Sequence, residues 1–386
     1  MPFIVHCYDL LIKNGTVVDP AHGINRKMDI GIYEPNIADV FEPGTKEGRI
    51  CARKVIDATG MIVVPGLIEG HGHVLPLAFA YPIDELWKRG ITAICDMGSV
   101  SISSFNRCRK EIINSAPLTI NAALCLSSLM ESDRYYDINA NIETEVDKYA
   151  IKDAFETHPD VLMGIKVFIG HTSTPGKEKT LAVLKKAREV CDFVGCRMIC
   201  HVAAPDIPLP EFIDYFEQGD NFTHTYNKGN IINPSTMTVY EEAWKARKRG
   251  VLFDSARGGR NWSAEVARIA FVEGFTPDII SADLTCLSND PKTSRLTVHM
   301  SECMAMGMSF EEVLYHATNV PASCMKGVHV GIQRGLPANI TIIDLNKGPH
   351  LFNDAYGINY EGMYKIIPKS TIVNGKVMYN TLSTDY

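Results

Sequence analysis

The chain has 386 residues, of which 46% are hydrophobic and 22% are charged. These fractions are ordinary for a globular protein and exclude a disordered, collagen-like or coiled-coil chain. The formal net charge of −7 lacks the basic excess that is typical of nucleic-acid-binding proteins. The longest apolar runs, such as residues 61–68, fall far short of the roughly 20 residues that a membrane span requires. We therefore expect a globular protein with no nucleic-acid or membrane partner.

The cysteines predict a reducing compartment. The chain has 11 of them, an odd number, and its first residues lack the charged segment that begins a signal peptide. Cys95, Cys125 and Cys200 lie in apolar runs, where a thiol packs as a small hydrophobic group. We expect the cysteines to be reduced and the protein to be cytoplasmic.

Both ends of the chain are predicted to form β-structure, because short apolar runs alternate there with turn residues. Asn14-Gly15 lies between two such runs and is a strong hairpin signal, and Asn374-Gly375 repeats this signal near the other end. We expect residues 1–57 and 336–386 to combine into one small β-sandwich domain.

The middle of the chain alternates between apolar, β-branched runs and helix-like stretches. Runs spaced by about 30 residues are typical of βα units, and apolar residues on both faces indicate a parallel sheet covered by helices. The eight runs are residues 61–68, 92–97, 118–126, 163–169, 197–202, 221–226, 250–253 and 278–283. We therefore predict an α/β fold, with residues 58–335 forming a (β/α)8 barrel.

Two histidines follow the first run at a spacing of two residues. Residues i and i+2 of a strand point to the same face, so His71 and His73 can both face the mouth of a barrel. Active sites of this fold lie at the carboxyl ends of the strands, and two imidazoles on one face form half of a metal site.

Lys166 lies inside the fourth apolar run. Burial disfavours the charged ammonium and lowers the pKa of a lysine, which makes a neutral, reactive amine available. The side chain could be an exposed lysine at a strand end, a Schiff-base nucleophile, or an amine that is carboxylated to bridge metal ions.

Three more residues with suitable chemistry lie at strand ends. His201 ends the fifth run, His224 lies in the sixth and Asp283 closes the eighth. Each alone has a structural explanation, such as a hydrogen-bonded core histidine or a helix-capping aspartate. Because all of them fall at the end of the barrel that carries chemistry, the set predicts an active site.

These residues together resemble the amidohydrolase superfamily of metal-dependent hydrolases. Residues 8–19, 66–73 and 335–344 are similar to the superfamily's opening strand pair, its metal-binding strand and its return to the small sheet domain. Within the superfamily, the chain resembles the amidohydrolase/deacetylase branch, which is dihydroorotase-like. The segments that carry this second resemblance are residues 90–99, 164–167, 201–205, 249–254 and 274–283.

The resemblance implies a site with two divalent metal ions. His71, His73 and Asp283 would hold the first ion and His201 and His224 the second, with a carboxylated Lys166 as the bridging ligand. Zinc suits this mixture of imidazole and oxygen ligands, although manganese, iron and cobalt remain open.

The implied reaction is hydrolysis of an acyl C–N or C–O bond, with removal of an acetyl group from a small N-acetyl or O-acetyl compound as the favoured form. A metal-bridging hydroxide would attack the acyl carbon, and Asp283 would act as general base and then general acid. A cyclic amide hydrolase of the dihydroorotase or hydantoinase type is the main alternative. A metal-free Schiff-base lyase that uses Lys166 and a non-catalytic scaffold are remote alternatives.

Substrate-binding residues are expected in the loops at the mouth. Arg257 and Arg260 follow the seventh run and could bind an anionic group, Tyr226 could donate to an oxyanion, and His171 lies in a mouth loop. The chain departs from the branch here, because residues 254–260 replace its usual glycine-histidine run. Glu69 replaces the usual aspartate before the first histidine, and it and Asp254 suit a role in supporting metal ligands. The substrate is a small molecule, and a homo-oligomer remains open.

Overall fold

The computed structural model describes residues 6–46, 50–76, 80–127, 139, 142, 146–286 and 295–385. The strands of this part of the chain are β1 (His6–Tyr8), β2 (Leu10–Asp19), β3 (Ile24–Tyr33), β4 (Asn36–Phe41), β5 (Ile50–Ala52), β6 (Val55–Asp57), β7 (Ile62–Pro65), β8 (Leu67–Gly72), β9 (Ile91–Val100), β10 (Thr119–Cys125), β11 (Leu162–Gly170), β12 (Arg197–Ala203), β13 (Asn221–Thr223), β14 (Ile232–Asn233), β15 (Thr238–Val239), β16 (Leu252–Asp254), β17 (Ile340–Asn353), β18 (Asn359–Val373), β19 (Lys376–Asn380) and β20 (Thr384–Asp385). The α-helices are α1 (Ile102–Glu111), α2 (Lys148–Thr157), α3 (Lys177–Val194), α4 (Glu241–Lys248), α5 (Ala264–Val272), α6 (Leu296–Ala305), α7 (Phe310–His316) and α8 (Asn319–Ser323).

Strands from both ends of the chain build one nine-stranded sheet. Its order is β19-β18-β17-β7-β2-β3-β4, and β6 and β20 pair beside β2. The two termini therefore share a sheet, as the sequence predicts. The exact domain boundaries, 1–57 with 336–386 and 58–335, stay a prediction.

The two Asn-Gly pairs of this sheet have different roles. Asn374-Gly375 forms the predicted hairpin turn between β18 and β19. Asn14-Gly15 does not form a turn, because β2 runs through it and only shifts register against β3. This bulge splits β2 into halves that pair in parallel with β6 and with β7. Asn14 has a left-handed backbone with φ of 64°, the conformation that makes Asn-Gly common in both settings.

The central sheet is parallel and has the order β16-β13-β12-β11-β10-β9-β8. Every residue of β9 and of β11 is buried, as expected for strands covered on both faces. Residues 279–284 join the two edges of this sheet, because Ile279 bridges to Asp254 of β16 and Leu284 bridges to Gly72 of β8. The sheet is therefore curled.

Two of the predicted runs differ from the strands of the structure. The eighth run, residues 278–283, forms isolated bridges in place of a strand, and the first run is wrong in its bounds. The run at residues 61–68 is two strands, of which β7 belongs to the terminal sheet and β8 to the parallel sheet. Gly66 separates them, and a Cβ on Gly66 would clash with the side chain of Thr92. Apolar residues continue through both strands, so hydrophobicity alone does not mark the change of sheet.

The helices follow the strands with two exceptions among the described residues. After β8 and after β12, short 3-10 helices stand where α-helices were expected, at Ile83–Glu85, Trp87–Arg89, Leu209–Glu211 and Ile213–Tyr215. Helix α7 begins with a capping box, since Ser309 and Glu312 exchange hydrogen bonds. No helix of the described residues is long and apolar enough to cross a membrane.

Cys7 and Cys51 form a disulfide, so the expectation that the cysteines are reduced is wrong for this pair. Strands β1 and β5 pair in parallel and place the two residues directly opposite each other. Because 44 residues separate them in sequence, the spacing gave no sign of this contact. The cytoplasmic location stays a prediction.

The amino ends of the parallel strands are filled by apolar side chains. Ile68, Ala93, Met163, Ile199 and Met325 form one buried cluster there with neighbouring residues. The polar residues of the same strands are displaced towards the carboxyl ends, where the candidate site lies.

Candidate metal centre

The carboxyl ends of the strands bring together all six side chains that the sequence singles out as ligands. They are His71 of β8, His73 just after it, Lys166 of β11, His201 of β12, His224 just after β13, and Asp283 of the bridging segment 279–284. Nζ of Lys166 lies 3.1 Å from Nε2 of His71, and Nε2 of His224 lies 2.8 Å from Nδ1 of His201. Their roles as ligands stay a prediction.

Three of these residues have the geometry of a metal half-site. His71, His73 and Asp283 each offer one ligand atom, and these atoms lie within 4.8 Å of one another. Oδ1 of Asp283 is 3.4 Å from Nε2 of His73 and 3.7 Å from Nε2 of His71. Two imidazole nitrogens and a carboxylate oxygen are suitable ligands for zinc and similar divalent ions, so the donor set fits the implied metal.

Neighbouring carboxylates and hydroxyls orient these two histidines. Nδ1 of His71 is 3.0 Å from Oδ2 of Asp254, and Nδ1 of His73 is 3.0 Å from Oγ of Ser99. Ser99 in turn donates to Asp96 at 2.8 Å. With Nδ1 engaged behind each ring, Nε2 faces the centre, which is the usual support of metal-binding histidines.

His224 is held in a defined tautomer. Its Nδ1 lies 2.7 Å from the backbone oxygen of Ala256, and since a carbonyl only accepts, Nδ1 carries the proton. Nε2 then presents a lone pair towards His201. Burial lowers the pKa of His224 to about 4, which keeps the ring neutral and able to bind a metal.

Lys166 is completely buried at the centre of the site. Burial lowers its pKa to about 8, although Asp283 and Asp254 nearby favour the charged form. The aliphatic chain passes over Gly98, where a Cβ would lie 2.5 Å from Cβ of Lys166. A buried amine with a lowered pKa is the form that carboxylation requires, because only the neutral amine attacks carbon dioxide.

The electrostatics of the two carboxylates beside the histidines differ. Burial alone would raise the pKa of Asp283, but the hydrogen bond from His73 and the nearby imidazoles of His71 and His224 lower it overall. Burial raises the pKa of Asp254 to about 6, against a hydrogen bond from Ser281 at 2.5 Å. Asp283 is therefore the carboxylate held ionised at the centre.

The Glu69 carboxylate links β8, the strand that carries His71, to the segment before Asp283. Its Oε1 accepts from the backbone N–H of His71 at 3.0 Å and from that of Ala282 at 2.9 Å. Burial raises its pKa well above the usual range. Glu69 therefore ties β8 to the segment that carries Asp283, and Asp254 supports His71, which agrees with the supporting role expected for both.

The backbone is strained where the site is built. His224 and Asp283 have left-handed φ angles of 61° and 53°, and Ala256, whose carbonyl holds His224, has φ of 36°. Residues with a Cβ avoid this region, and such conformations persist only where the surroundings impose them. The strain accompanies the placement of two predicted ligands, which is its most direct explanation.

Two predicted substrate-binding residues already have protein partners. The Arg257 guanidinium is buried and donates to both carboxylate oxygens of Glu302 at 3.1 Å. The Tyr226 hydroxyl is buried and donates to the backbone oxygen of Phe275 at 3.0 Å. Both polar groups therefore contribute to the packing around the parallel sheet.

The other two predicted substrate residues lie at the rim. Arg260 is exposed on the loop after β16. His171 is exposed after β11 and lies 2.6 Å from a carboxylate oxygen of Asp206. Sequence reasoning missed Ser99, Asp96 and Ser281 as supports of the histidines and Asp254. All three lie within or just after predicted strands that carry or adjoin the histidines and Asp283, which was a usable signal.

A cluster of imidazoles and carboxylates at the carboxyl ends of a parallel sheet is the arrangement in which metal-dependent enzymes of the barrel type place their ligands. Comparisons with known proteins agree. A deacetylase from Enterococcus faecalis is 26% identical over 385 residues, which cover 97% of this chain and 100% of the relative. A dihydroorotase from Syntrophotalea carbinolica is 41% identical over 110 residues, 27% of this chain and 25% of the relative.

A solved structure of an adenine deaminase has the same fold. It superposes with a TM-score of 0.82 at 24% identity and covers 97% of this chain and 100% of its own. No family model matches the chain. The chain is therefore similar to deacetylases over most of its length and to a dihydroorotase over a shorter part, and these relatives agree with a resemblance to the amidohydrolase superfamily and its deacetylase branch. The resemblance stated from the sequence is therefore confirmed.

Proposed function

We propose that the protein is a metal-dependent hydrolase that removes an acetyl group from a small N-acetyl or O-acetyl compound. The convergence of His71, His73 and Asp283 to within 4.8 Å of one another carries this proposal. The Enterococcus faecalis relative supports the deacetylase form, because the similarity runs over the whole of its length.

Two groups of residues would hold the metal ions, for which zinc is favoured. His71, His73 and Asp283 would bind one ion and His201 and His224 the other, and a carboxylated Lys166 would bridge them. Bound there, divalent ions lower the pKa of water towards about 7 and polarise a carbonyl oxygen. The fold that presents these residues would be a closed eight-stranded barrel, with residues 279–284 as its eighth strand.

Asp283 would move the proton in this reaction. Its Oδ1 faces the imidazoles of His71 and His73, and its low pKa keeps it ionised at neutral pH. A carboxylate in this position accepts a proton from the attacking water and transfers it to the departing amine or alcohol. Asp254 and Ser99 keep the two imidazoles in the orientation that this arrangement needs.

Arg260 would select for an anionic group on the substrate. It is exposed on the mouth loop, and among the described residues it forms no ion pair. Because Glu302 already engages Arg257, Arg260 is the arginine of this loop that can bind a carboxylate. Replacement by Met is expected to raise KM for anionic substrates and to leave neutral ones unchanged.

The first test is elemental analysis of protein purified without a chelator and without a metal-affinity step. We expect about two equivalents of divalent metal per chain, as binuclear hydrolases require. A protein that stays metal-free after incubation with Zn²⁺ and bicarbonate contradicts the proposal. Trapping of Lys166 by borohydride in the presence of a carbonyl substrate would then favour the Schiff-base alternative.

A substrate screen separates the deacetylase from the second candidate, a cyclic amide hydrolase. The local 41% identity to a dihydroorotase favours including this candidate. N-acetyl amino acids and aryl acetates should be hydrolysed faster than dihydroorotate, hydantoin or dihydrouracil. The opposite preference would assign the cyclic amide activity to the same metal centre.

A further inference from the structure

The loop after β16 is fixed to the segment that carries Asp283. Arg257 anchors the loop through Glu302, and its Nη1 donates to the backbone oxygen of Gly258 at 3.0 Å. The backbone N–H of Gly258 donates to the oxygen of Ala282, next to Asp283, at 3.1 Å. These hydrogen bonds therefore fix the position of the loop relative to Asp283.

Asn261 of this loop faces the predicted proton-transfer residue. A Cβ built on Gly258 would lie 2.7 Å from Oδ2 of Asp283 and 3.1 Å from Nδ2 of Asn261. Both atoms thus line the same small space, which the absence of a Gly258 side chain keeps open. Oδ1 of the same carboxylate points the other way, towards His73. The two carboxylate oxygens of Asp283 therefore have different neighbours, with Oδ1 near the imidazoles and Oδ2 beside the space that Nδ2 of Asn261 also lines.

A hydrogen bond from Asn227 orients the Asn261 amide. Its Oδ1 accepts from Nδ2 of Asn227 at 3.0 Å, which directs its own amide N–H groups away from Asn227. Within the described part of the chain, no hydrogen bond uses these N–H groups. A donor held in place without a partner beside an ionised carboxylate is suited to bind a polar atom of a ligand.

The terminal sheet supplies the last part of this arrangement. The hydroxyl of Tyr356 donates to Oδ1 of Asn227 at 2.5 Å, and Tyr356 lies at the tip of the β17–β18 hairpin. The tip is docked on the barrel, because Asp354 accepts from the backbone N–H of Ala264 at 3.0 Å and Ala355 donates to the oxygen of Trp262 at 2.9 Å. The hairpin thus reaches the mouth of the site.

We propose that the Asn261 amide donates to the heteroatom of the departing group beside Asp283, and that Tyr356 positions it through Asn227. The inference rests on the proposed hydrolytic function. As the acyl bond breaks, negative charge develops on the departing oxygen or nitrogen. Asp283 supplies the proton to that atom, and Asn261 stabilises it by a hydrogen bond until the transfer is complete. Asn261 is then a substrate-contacting residue and Tyr356 a positioning residue.

The test uses aryl acetates whose leaving groups differ in basicity, from 4-nitrophenyl to 4-methylphenyl acetate, with the metal-loaded full chain. Asn261→Ala should lower kcat/KM roughly 10- to 100-fold for 4-methylphenyl acetate and less for 4-nitrophenyl acetate, whose anion needs little stabilisation. Asn261→Leu keeps the approximate size of the side chain and adds no charge beside Asp283 but removes the donor, and should give the same pattern. An equal loss across the series, or no loss, overturns the assignment.

Tyr356 is tested by a double-mutant cycle. Tyr356→Phe should lower kcat/KM several-fold in the wild type and have no effect in the Asn261→Ala background, because both act through one hydrogen bond. Equal losses in both backgrounds would show a general structural role and overturn the positioning of Asn261 by Tyr356. Tyr315→Phe is the matched control, since Tyr315 is 41% and Tyr356 42% exposed.

Different results would contradict the deacetylase function and the role of Asn261. A wild type that holds metal but hydrolyses no aryl acetate or N-acetyl compound overturns the deacetylase function together with this inference. An active wild type whose Asn261 variants keep its leaving-group dependence overturns only the role of Asn261. Metal content and thermal unfolding of each variant establish that the comparison is made on folded, loaded protein.

Discussion

The two ends of the same parallel strands have opposite character. At the amino ends, Ile68, Met163, Ile199 and Met325 pack as one dry cluster. Residues 324–326 close this end, because Arg197 donates to the backbone oxygens of Met163 and Cys324. At the carboxyl ends, a few residues further along, the interior is filled by imidazoles, a lysine and carboxylates.

The difference shows where the fold gains stability and where it loses it. Burial of apolar side chains stabilises the amino ends. At the carboxyl ends, burial opposes the charged form of Lys166, and His224 and Asp283 adopt left-handed backbones. Such features destabilise a protein unless the rest of the fold imposes them. The stability gained from apolar burial at the amino ends therefore offsets the unfavourable backbone conformations and the buried amine at the carboxyl ends.

Replacing Asp283 should have the largest effect on activity and a small one on stability. We expect Asp283→Asn to lower kcat by about 10³-fold, because an amide cannot accept and return the proton. The measurement is kcat for an aryl acetate, together with metal content by elemental analysis. Asp214→Asn is the control for the same chemical change at an exposed carboxylate, and its kcat should stay within about twofold of the wild type. Full activity of Asp283→Asn with metal retained would contradict the role given to Asp283.

A substitution at the amino ends of the strands should lower stability and leave activity unchanged. Met325 is 8% exposed and closes the apolar cluster. We expect Met325→Ala to lower the free energy of unfolding by about 3 kcal/mol through the cavity it leaves. Urea denaturation measures this loss, and kcat of the folded protein should stay near the wild-type value. A large loss of kcat in folded, metal-loaded protein would show that the two ends are not independent.

Substitution of Lys166 measures how much the buried polar groups at the carboxyl ends of the strands reduce the free energy of unfolding. The buried amine has a pKa of about 8, against 10.5 for an ordinary lysine, so its protonated form is disfavoured in the folded state. A shift of this size corresponds to about 3 kcal/mol, and Lys166→Met should raise the stability of metal-free protein at pH 7 by that amount.

The pH dependence of this effect has a definite sign. Between pH 8 and pH 10.5 the unfolded chain still binds the proton that the folded protein has released, so wild-type stability rises with pH through this window. The advantage of Lys166→Met should therefore shrink over the same window in urea titrations. A constant advantage at every pH would show that packing, not the ammonium charge, is its cause. With Zn²⁺ and bicarbonate the order should reverse, because only the wild type can form the carboxylated ligand.

The six residues of the centre could be predicted from the sequence because strand ends are local features. A His, Lys or Asp within or just after an apolar run is carried by that strand, and the alternation of the strand sets which side of the sheet it faces. Partners distant in sequence could not be predicted in this way. Arg257 was expected to face substrate, yet Glu302, 45 residues further on, engages it. The same limit applies to the disulfide and to the hairpin tip that reaches Asn227, since both depend on tertiary pairing.

A pair of glycines separates backbone strain from the crowding at the site. Gly98 and Gly195 both have left-handed φ angles, 88° and 76°, but a Cβ on Gly98 would lie 2.5 Å from Cβ of Lys166, whereas nothing lies within 4 Å of one on Gly195. Gly195→Ala should cost about 1 kcal/mol of stability, the backbone effect alone. Gly98→Ala should cost at least about 1 kcal/mol more and should also reduce metal content, because it displaces Lys166. If both variants lose the same stability in urea and Gly98→Ala keeps its metal content, the prediction is wrong. The position of Lys166 would then be less restricted than the packing around Gly98 indicates.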